Sequence, residues 1–336
     1  MKAAVLRGKK DIRIESVPDP VADPDGIIVK VKACGVCGSD LHVYKAEGNE
    51  GTIFGHEFSG EVAEVGAKVS DITVGERVTA VGFRPCGECF WCKQGKGFRC
   101  SALALVGYQL PGAMAEYVAV PSAVKGRNVF PLPEELTFED AATVEPLSIS
   151  LYSVKKAQPR EKDIVAVMGA GVIGLSAIQI LKSMGVSKVL VSARRPSRLQ
   201  AARESGSDLV IDAATQDTVA EIMAATGDMG VDIVVECAGS PISFDQSIEI
   251  LRGGGKMMLV GIYETPLSWD PANVINKNIS LIGCLGGNFP GSIDLLKTGK
   301  VTTRNFVTHR FPLDKTAEAF ETQISDPGAI KVMIIP

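Results

Sequence analysis

The rhythm of apolar and polar positions changes partway along the chain. Up to about residue 130 the apolar runs are short and partly alternating. Ala3-Ala4-Val5-Leu6, Ile12-Arg13-Ile14, residues 26–33 and residues 60–66 are examples, with Pro, Gly and Asp between them. This spacing predicts brief strands that turn back often, no long amphipathic helix, and a barrel-like β-rich domain. From about residue 151, apolar strands alternate with helix-periodic segments. Strands are predicted at 164–168, 188–192, 208–211, 231–237, 256–262 and 279–283, and helices at 172–184, 196–205, 215–226, 242–251 and 271–276. Such alternation predicts a parallel sheet covered on both faces, with any ligand at the carboxyl ends of its strands. After about residue 290 short elements return, with a helix over 315–322 and a last strand over 331–335 that would rejoin the first domain. The predicted class is α/β. Residues 1–150 and 290–336 form the β-rich domain, and residues 151–289 form a doubly wound parallel-sheet domain.

Composition narrows the function classes. The 336 residues are 46% hydrophobic and 22% charged, as in ordinary globular proteins. A net charge of −4 implies no basic surface for nucleic acid. No apolar run approaches the ~20 residues of a membrane span. The N-terminal residues lack the apolar core of a signal peptide, so a cytoplasmic location is expected. Of eight cysteines, six lie between Cys34 and Cys100 at metal-like spacings, which favours metal over disulfides.

Three stretches carry candidate chemistry. The first is the run at 164–168, which leads into Gly169-Ala170-Gly171-Val172-Ile173-Gly174 and a following helix. Glycines in such a turn permit the bend, the approach of a pyrophosphate and the packing of helix on strand. The helix N-terminus then offers free N–H groups to phosphate. Cofactor choice is written at the end of the next strand, where an NAD enzyme usually places an acid. Here Ser192-Ala193-Arg194-Arg195-Pro196-Ser197-Arg198 holds no acid. Ser192, Arg194 and Arg195 suit a 2′-phosphate, which predicts NADP(H).

The second stretch joins Cys37 to His56 and Glu57, in a chain with only three histidines. Thiolate, imidazole and carboxylate suit a zinc with an open position for chemistry, whereas Cys34 reads as a packed neighbour. Glu145, ahead of Pro146 at a helix junction, adds a carboxylate near the end of this domain. In the third stretch Cys86, Cys89, Cys92 and Cys100 form C-x2-C-x2-C-x7-C, the pattern of a closed structural zinc. An iron–sulfur cluster fits that spacing less well. His309 has no such company and reads as structural.

Together these motifs resemble the zinc-dependent medium-chain dehydrogenase/reductase family, of the alcohol dehydrogenase superfamily. The likeness covers essentially the whole chain. It rests on Cys37-Gly38-Ser39-Asp40-x-His42, Gly55-His56-Glu57-x-x-Gly60, the four-cysteine lobe, Gly169 to Gly174, and residues 307–313. The polyol and threonine dehydrogenase branch is the nearest in pattern. There Val144-Glu145-Pro146-Leu147 stands where simple alcohol dehydrogenases place a third cysteine ligand. That branch often carries an Arg-Tyr pair where this chain has Cys284-Leu285.

The resemblance implies a GroES-like zinc catalytic domain around a central Rossmann domain. By position, Cys37 and His56 would ligate a catalytic zinc, and Glu57 would be a direct or exchanging ligand. Glu145 would bind the metal directly or through water. Asp40 would orient His56, while Ser39 and His42 would pass the alcohol proton toward solvent. It further implies two zinc ions per subunit, hydride exchange between NADP(H) and a secondary alcohol or polyol and its ketone, and a homodimer or homotetramer. Two rival expectations are a zinc-independent quinone or enoyl reductase of the same fold and a non-enzymatic nucleotide-binding regulator.

Overall fold

The computed structural model describes all 336 residues. They divide into two units, Met1–Glu145 with His309–Asp326 and Lys331–Pro336, and Pro146–Thr308 with Pro327–Ile330.

The first unit is built on a seven-stranded sheet whose centre is Ile27–Gly35. That strand is apolar on nearly every position, because both faces are covered. It pairs antiparallel with Glu57–Val65, with Tyr117–Val120 and with the C-terminal strand Lys331–Ile335. The last pairing, Ile334 opposite Cys34 and Met333 opposite Gly35, returns the chain end to the first domain as expected. Two register shifts along the Ile27–Gly35/Glu57–Val65 ladder bend it, as bulges do. A helix that the hydrophobic pattern does not predict, Gly38–Lys45, follows the central strand; only Asp40 and Tyr44 of it are buried. Phe138–Ala142 opens on a capping box in which the Thr137 hydroxyl accepts from Asp140 N–H and the Asp140 carboxylate accepts from Thr137 N–H.

The second unit is the doubly wound parallel sheet. With its six strands numbered in chain order, Ile164–Met168 first and Ser280–Gly283 last, the spatial order is 3-2-1-4-5-6. Its core gathers Ala166, Met168, Leu190, Ile211, Val234 and Met257 with helix residues such as Ile222 and Phe244. Helices Val172–Ser183, Pro196–Glu204, Thr218–Thr226 and Pro241–Ile250 fall within a few residues of their predicted spans. The fifth strand is longer than predicted. It begins at Leu251, before three glycines that read as a turn, because a register shift between Val231 and Ile233 takes up the extra residues.

The unit boundaries differ from the expected ones. Residues 290–308, expected with the β-rich domain, belong to the parallel-sheet unit. The cause is local bonding. Asn288 N–H donates to Ser148 C=O, and the Gln179 side chain pairs with both main-chain groups of Thr302. The switch near 150 falls at Glu145/Pro146, just inside the helix Val144–Ala157.

Candidate catalytic metal site and dinucleotide cavity

Cys37 caps the helix Gly38–Lys45 in extended conformation. Asp40, fully buried, accepts the Cys37 N–H with one carboxylate oxygen at 3.0 Å. Its other oxygen lies 3.5 Å from His56 Nδ1. One carboxylate therefore fixes the cysteine's backbone and faces the histidine ring. Cys37, His56 and Glu57 each bring a ligand atom within 4.8 Å of the others. Burial works against charge on His56, but Asp40 and Cys37 outweigh it and hold the imidazole well above its ordinary range. Sulfur, nitrogen and oxygen donors gathered this closely fit zinc. Cys34 is fully buried, and burial pushes its thiol well up, which keeps it inert.

Glu57 has a partner that spacing does not reveal. Lys331, from the last strand, donates to a Glu57 carboxylate oxygen at 2.5 Å and to Val36 C=O at 2.9 Å, and both side chains are buried. Glu145 is outside the set of three close donors. It still feels their charge. Burial, followed among the raising effects by Glu57 and Asp40, pushes its carboxyl up to about 7 against the opposing pull of His56 and Lys331.

Ser39 and His42 stand one turn apart on the Gly38–Lys45 helix, hence on one face. Ser39 Oγ accepts from the Tyr108 hydroxyl at 2.6 Å, and the Tyr108 ring stacks on His56 with centroids 5.1 Å apart. Sequence reasoning passed over Tyr108. An aromatic in a loop carries no spacing signal. Burial pushes its phenol up to about 12, so it remains a donor.

In the cysteine lobe the four sulfurs also lie within 4.8 Å of one another. Cys89 Sγ to Cys92 Sγ is 3.5 Å and Cys86 Sγ to Cys92 Sγ is 3.9 Å. A tetrahedron of Zn–S bonds requires about 3.8 Å between sulfurs, and a disulfide about 2.05 Å. The lobe therefore fits a metal. Main-chain groups of Glu88 and Cys89 hold the Cys86 thiol below its ordinary range, and the Ala102 N–H points at the Cys100 sulfur.

In the parallel-sheet unit, a cavity of about 290 Å³ opens at the carboxyl ends of the strands. Gly169 and Gly171 line it, as do Ser192, Arg194 and Arg195. Gly169 has a φ of +97°, which suits glycine alone. Val172, Ile173 and Gly174 form the first turn of the helix behind this wall. A Cβ on Gly174 would collide with the Gly169 carbonyl oxygen, so the third glycine is required for packing. The Ser192 hydroxyl is buried and shares a hydrogen bond of 3.0 Å with the hydroxyl of Thr218, the first residue of the helix Thr218–Thr226. Arg198, not singled out by its spacing, joins the arginines lining the cavity. Its Nε is buried without a hydrogen-bond partner, and burial followed by Arg195 lowers its guanidinium to about 10. Three guanidiniums around one cavity suit a phosphate dianion. His309 stands apart, 3.4 Å from Asp326.

Residues 23–134 match the alcohol dehydrogenase GroES-like domain, and residues 172–298 match the zinc-binding dehydrogenase family. The chain is 33% identical to a sorbitol dehydrogenase of Bacillus subtilis (strain 168), over 100% of this chain and 97% of that protein. It is 35% identical to an (R,R)-butanediol dehydrogenase of the same organism, over 100% of both. Among solved structures, one described as a zinc-binding dehydrogenase from Sinorhizobium meliloti 1021, bound to NADP, superposes with a TM-score of 0.90. It shares 31% identity over 100% of this chain and 99% of that one. No helix of this chain is long and apolar enough to cross a membrane.

Proposed function

This chain belongs to the zinc-type medium-chain dehydrogenase/reductase family of alcohol dehydrogenases, and we propose that it interconverts a secondary alcohol or polyol and its ketone by hydride exchange with NADP(H). The observation that carries the reading is the convergence of Cys37, His56 and Glu57 on one point beside a serine hydroxyl held by Tyr108. A zinc ion held there would supply Lewis-acid chemistry at a substrate oxygen, and a bound nicotinamide would supply or accept a hydride.

The chain's residues do the remaining work. Cys37 and His56 hold the metal, with Glu57 or Glu145 as the carboxylate. Asp40 fixes His56 from behind, as metal-bound imidazoles require. Glu57 is poised between ligation and its bond to Lys331. Ser39, whose oxygen already accepts from Tyr108, directs its own proton toward the substrate oxygen, and His42 on the same helix face passes protons onward. Cys86, Cys89, Cys92 and Cys100 hold a second, structural zinc.

Arg194, Arg195 and Arg198 bind the 2′-phosphate of the cofactor, and the Gly169–Gly174 turn receives its pyrophosphate. The NADP-bound relative supports this reading. The substrate is a small hydroxyl compound. The sorbitol, butanediol and erythritol/L-threitol dehydrogenases among the relatives support a vicinal diol or polyol.

The test is an activity screen over secondary alcohols, polyols, sugar phosphates and their ketones with NADPH and NADH, alongside metal analysis. Two zinc ions per chain and a higher kcat/KM with NADPH, reversed in Arg194→Ala/Arg195→Ala, are expected. One zinc per chain with full activity would favour a zinc-independent reductase instead.

A further inference from the structure

The buried carboxylate of Glu236 has no part in the chemistry described so far, yet four neutral donors converge on it. Glu236 ends the strand Val231–Glu236 and is fully buried. One carboxylate oxygen accepts from Ala238 N–H at 2.9 Å, Gly239 N–H at 3.0 Å and the Ser243 hydroxyl at 2.8 Å. The other accepts from the Tyr263 hydroxyl at 2.7 Å. An ionised carboxylate is tolerated in such a setting only when its lone pairs are filled in this way. Its own carbonyl accepts from Val260 N–H and Gly261 N–H at 3.0 and 2.9 Å. A single residue thus fastens two loops, 237–240 and 260–263.

The first of these loops is a wall of the dinucleotide cavity, which Cys237, Ala238, Ser240 and Ser243 line. It is also the seat of the glycine turn. Cys237 N–H donates to Met168 C=O at 2.8 Å. A Cβ on Gly169 would lie 3.0 Å from Ala238 N and 3.1 Å from Ala238 Cα, so turn and loop are in close packing. Any shift of Ala238 is therefore felt at Gly169.

We infer that Glu236 is a positioning residue for the dinucleotide: by holding the N–H groups of Ala238 and Gly239 it fixes the wall on which the phosphate-binding turn rests. The inference rests on reading this cavity as the NADP(H) site. A glutamine that keeps its oxygen toward Ala238, Gly239 and Ser243 turns its NH2 group to the Tyr263 hydroxyl and lacks the negative charge that strengthens all four bonds.

The experiment compares the full-length parent with Glu236→Gln by fluorescence or calorimetric titration of NADPH and of 2′-AMP. The second ligand carries the phosphate read by the arginines and has no 5′-phosphate to meet the turn. Loss of charge-assisted hydrogen bonds behind the turn predicts NADPH binding weaker by about tenfold or more, with 2′-AMP changed by less than about twofold. Unchanged NADPH affinity overturns the inference. So does equal weakening of both ligands, which is what a general loosening of the fold produces.

Should Glu236→Gln not fold, Tyr263→Phe removes one donor and leaves the carboxylate and its main-chain partners. It is expected to show the same selectivity at about threefold, and an unselective or absent effect counts against the inference. A parent that prefers NADH refutes the reading of the arginines alone, and the pair NADH and adenosine then decides Glu236 by the same criterion. A parent that binds neither dinucleotide overturns both readings.

Discussion

Tyr108 and Lys331 sit in no motif, yet each touches a residue that the cysteine and histidine spacing singles out. Tyr108→Phe keeps the ring on His56 and removes only the donor to Ser39. A hydrogen bond worth about 1 kcal/mol predicts a fall in kcat/KM of about fivefold, with zinc content unchanged. In a Ser39→Ala background the same substitution is expected to cost nothing further, and additive losses in this double-mutant cycle would sever Tyr108 from Ser39. Lys331 poses a question of stability. Replacing it by Met leaves Glu57 buried without its cation, an imbalance that costs about 3–5 kcal/mol when one partner of a buried pair is removed. Urea unfolding should register that loss, and Lys331→Met/Glu57→Gln should recover most of it; a single variant as stable as the parent would show that the pair adds nothing. Cys37, His56, the four lobe cysteines, Arg194 and Arg195 were legible as candidates because metal and phosphate chemistry dictate residue type and spacing. Tyr108 and Lys331 were not, because each gains its role from a contact between segments far apart in sequence: 69 residues for Tyr108 and Ser39, and 274 for Lys331 and Glu57.

At the scale of elements, legibility follows hydrophobic period and length. Ile164–Met168 is five apolar residues ending in glycine, and its strand coincides with the expectation. Gly38–Lys45 is eight residues with only two buried and no apolar stripe. It is held instead by the Asp40 carboxylate accepting the Cys37 N–H, so the periodicity has nothing to report. The fifth strand of the parallel sheet conceals itself behind Gly253-Gly254-Gly255, which mimics a turn. The strand–turn–helix at Gly169–Gly174 allows a sharper prediction. Gly174→Ala adds one methyl group against the Gly169 carbonyl oxygen, in a helix turn that cannot retreat from the strand below it. Overpacking of this kind costs about 1–3 kcal/mol, and here the strain falls on the turn itself. Affinity for NADPH should therefore drop by about tenfold while both zinc ions stay bound. Retained affinity would mean that the turn does not carry the pyrophosphate.

For the molecule as a whole, the division into a β-rich unit formed by both chain ends and a parallel-sheet unit between them was legible from the change in period, but the return point was not. Residues 290–308 are short and mixed in pattern, and what assigns them to the parallel-sheet unit is the side chain of Gln179 and the carbonyl of Ser148, neither of which leaves a trace in periodicity. Each unit has buried apolar clusters of its own, Ala3, Val5, Ile53 and Ala115 in one and the Ala166–Met168–Leu190 cluster in the other. Independent cores make a prediction about the cysteine lobe. Residues 86–100 carry few buried side chains, so the metal proposed for the lobe, rather than apolar packing, would hold them in shape. Small zinc-dependent peptides draw about 10–16 kcal/mol of apparent folding energy from their metal. In this chain that energy is spent on a lobe attached to a unit with its own sheet, so its loss stays local. Cys100→Ser, which removes the buried ligand that accepts from Cys86 N–H and Ala102 N–H, should therefore lower zinc from two ions per chain to one. Proteolysis should then cut within 86–100, while NADPH affinity stays within about twofold of the parent, as expected for sites that share no partners. If NADPH binding disappears together with the lobe zinc, the two units are energetically a single structure, and the independence argued from their cores is wrong.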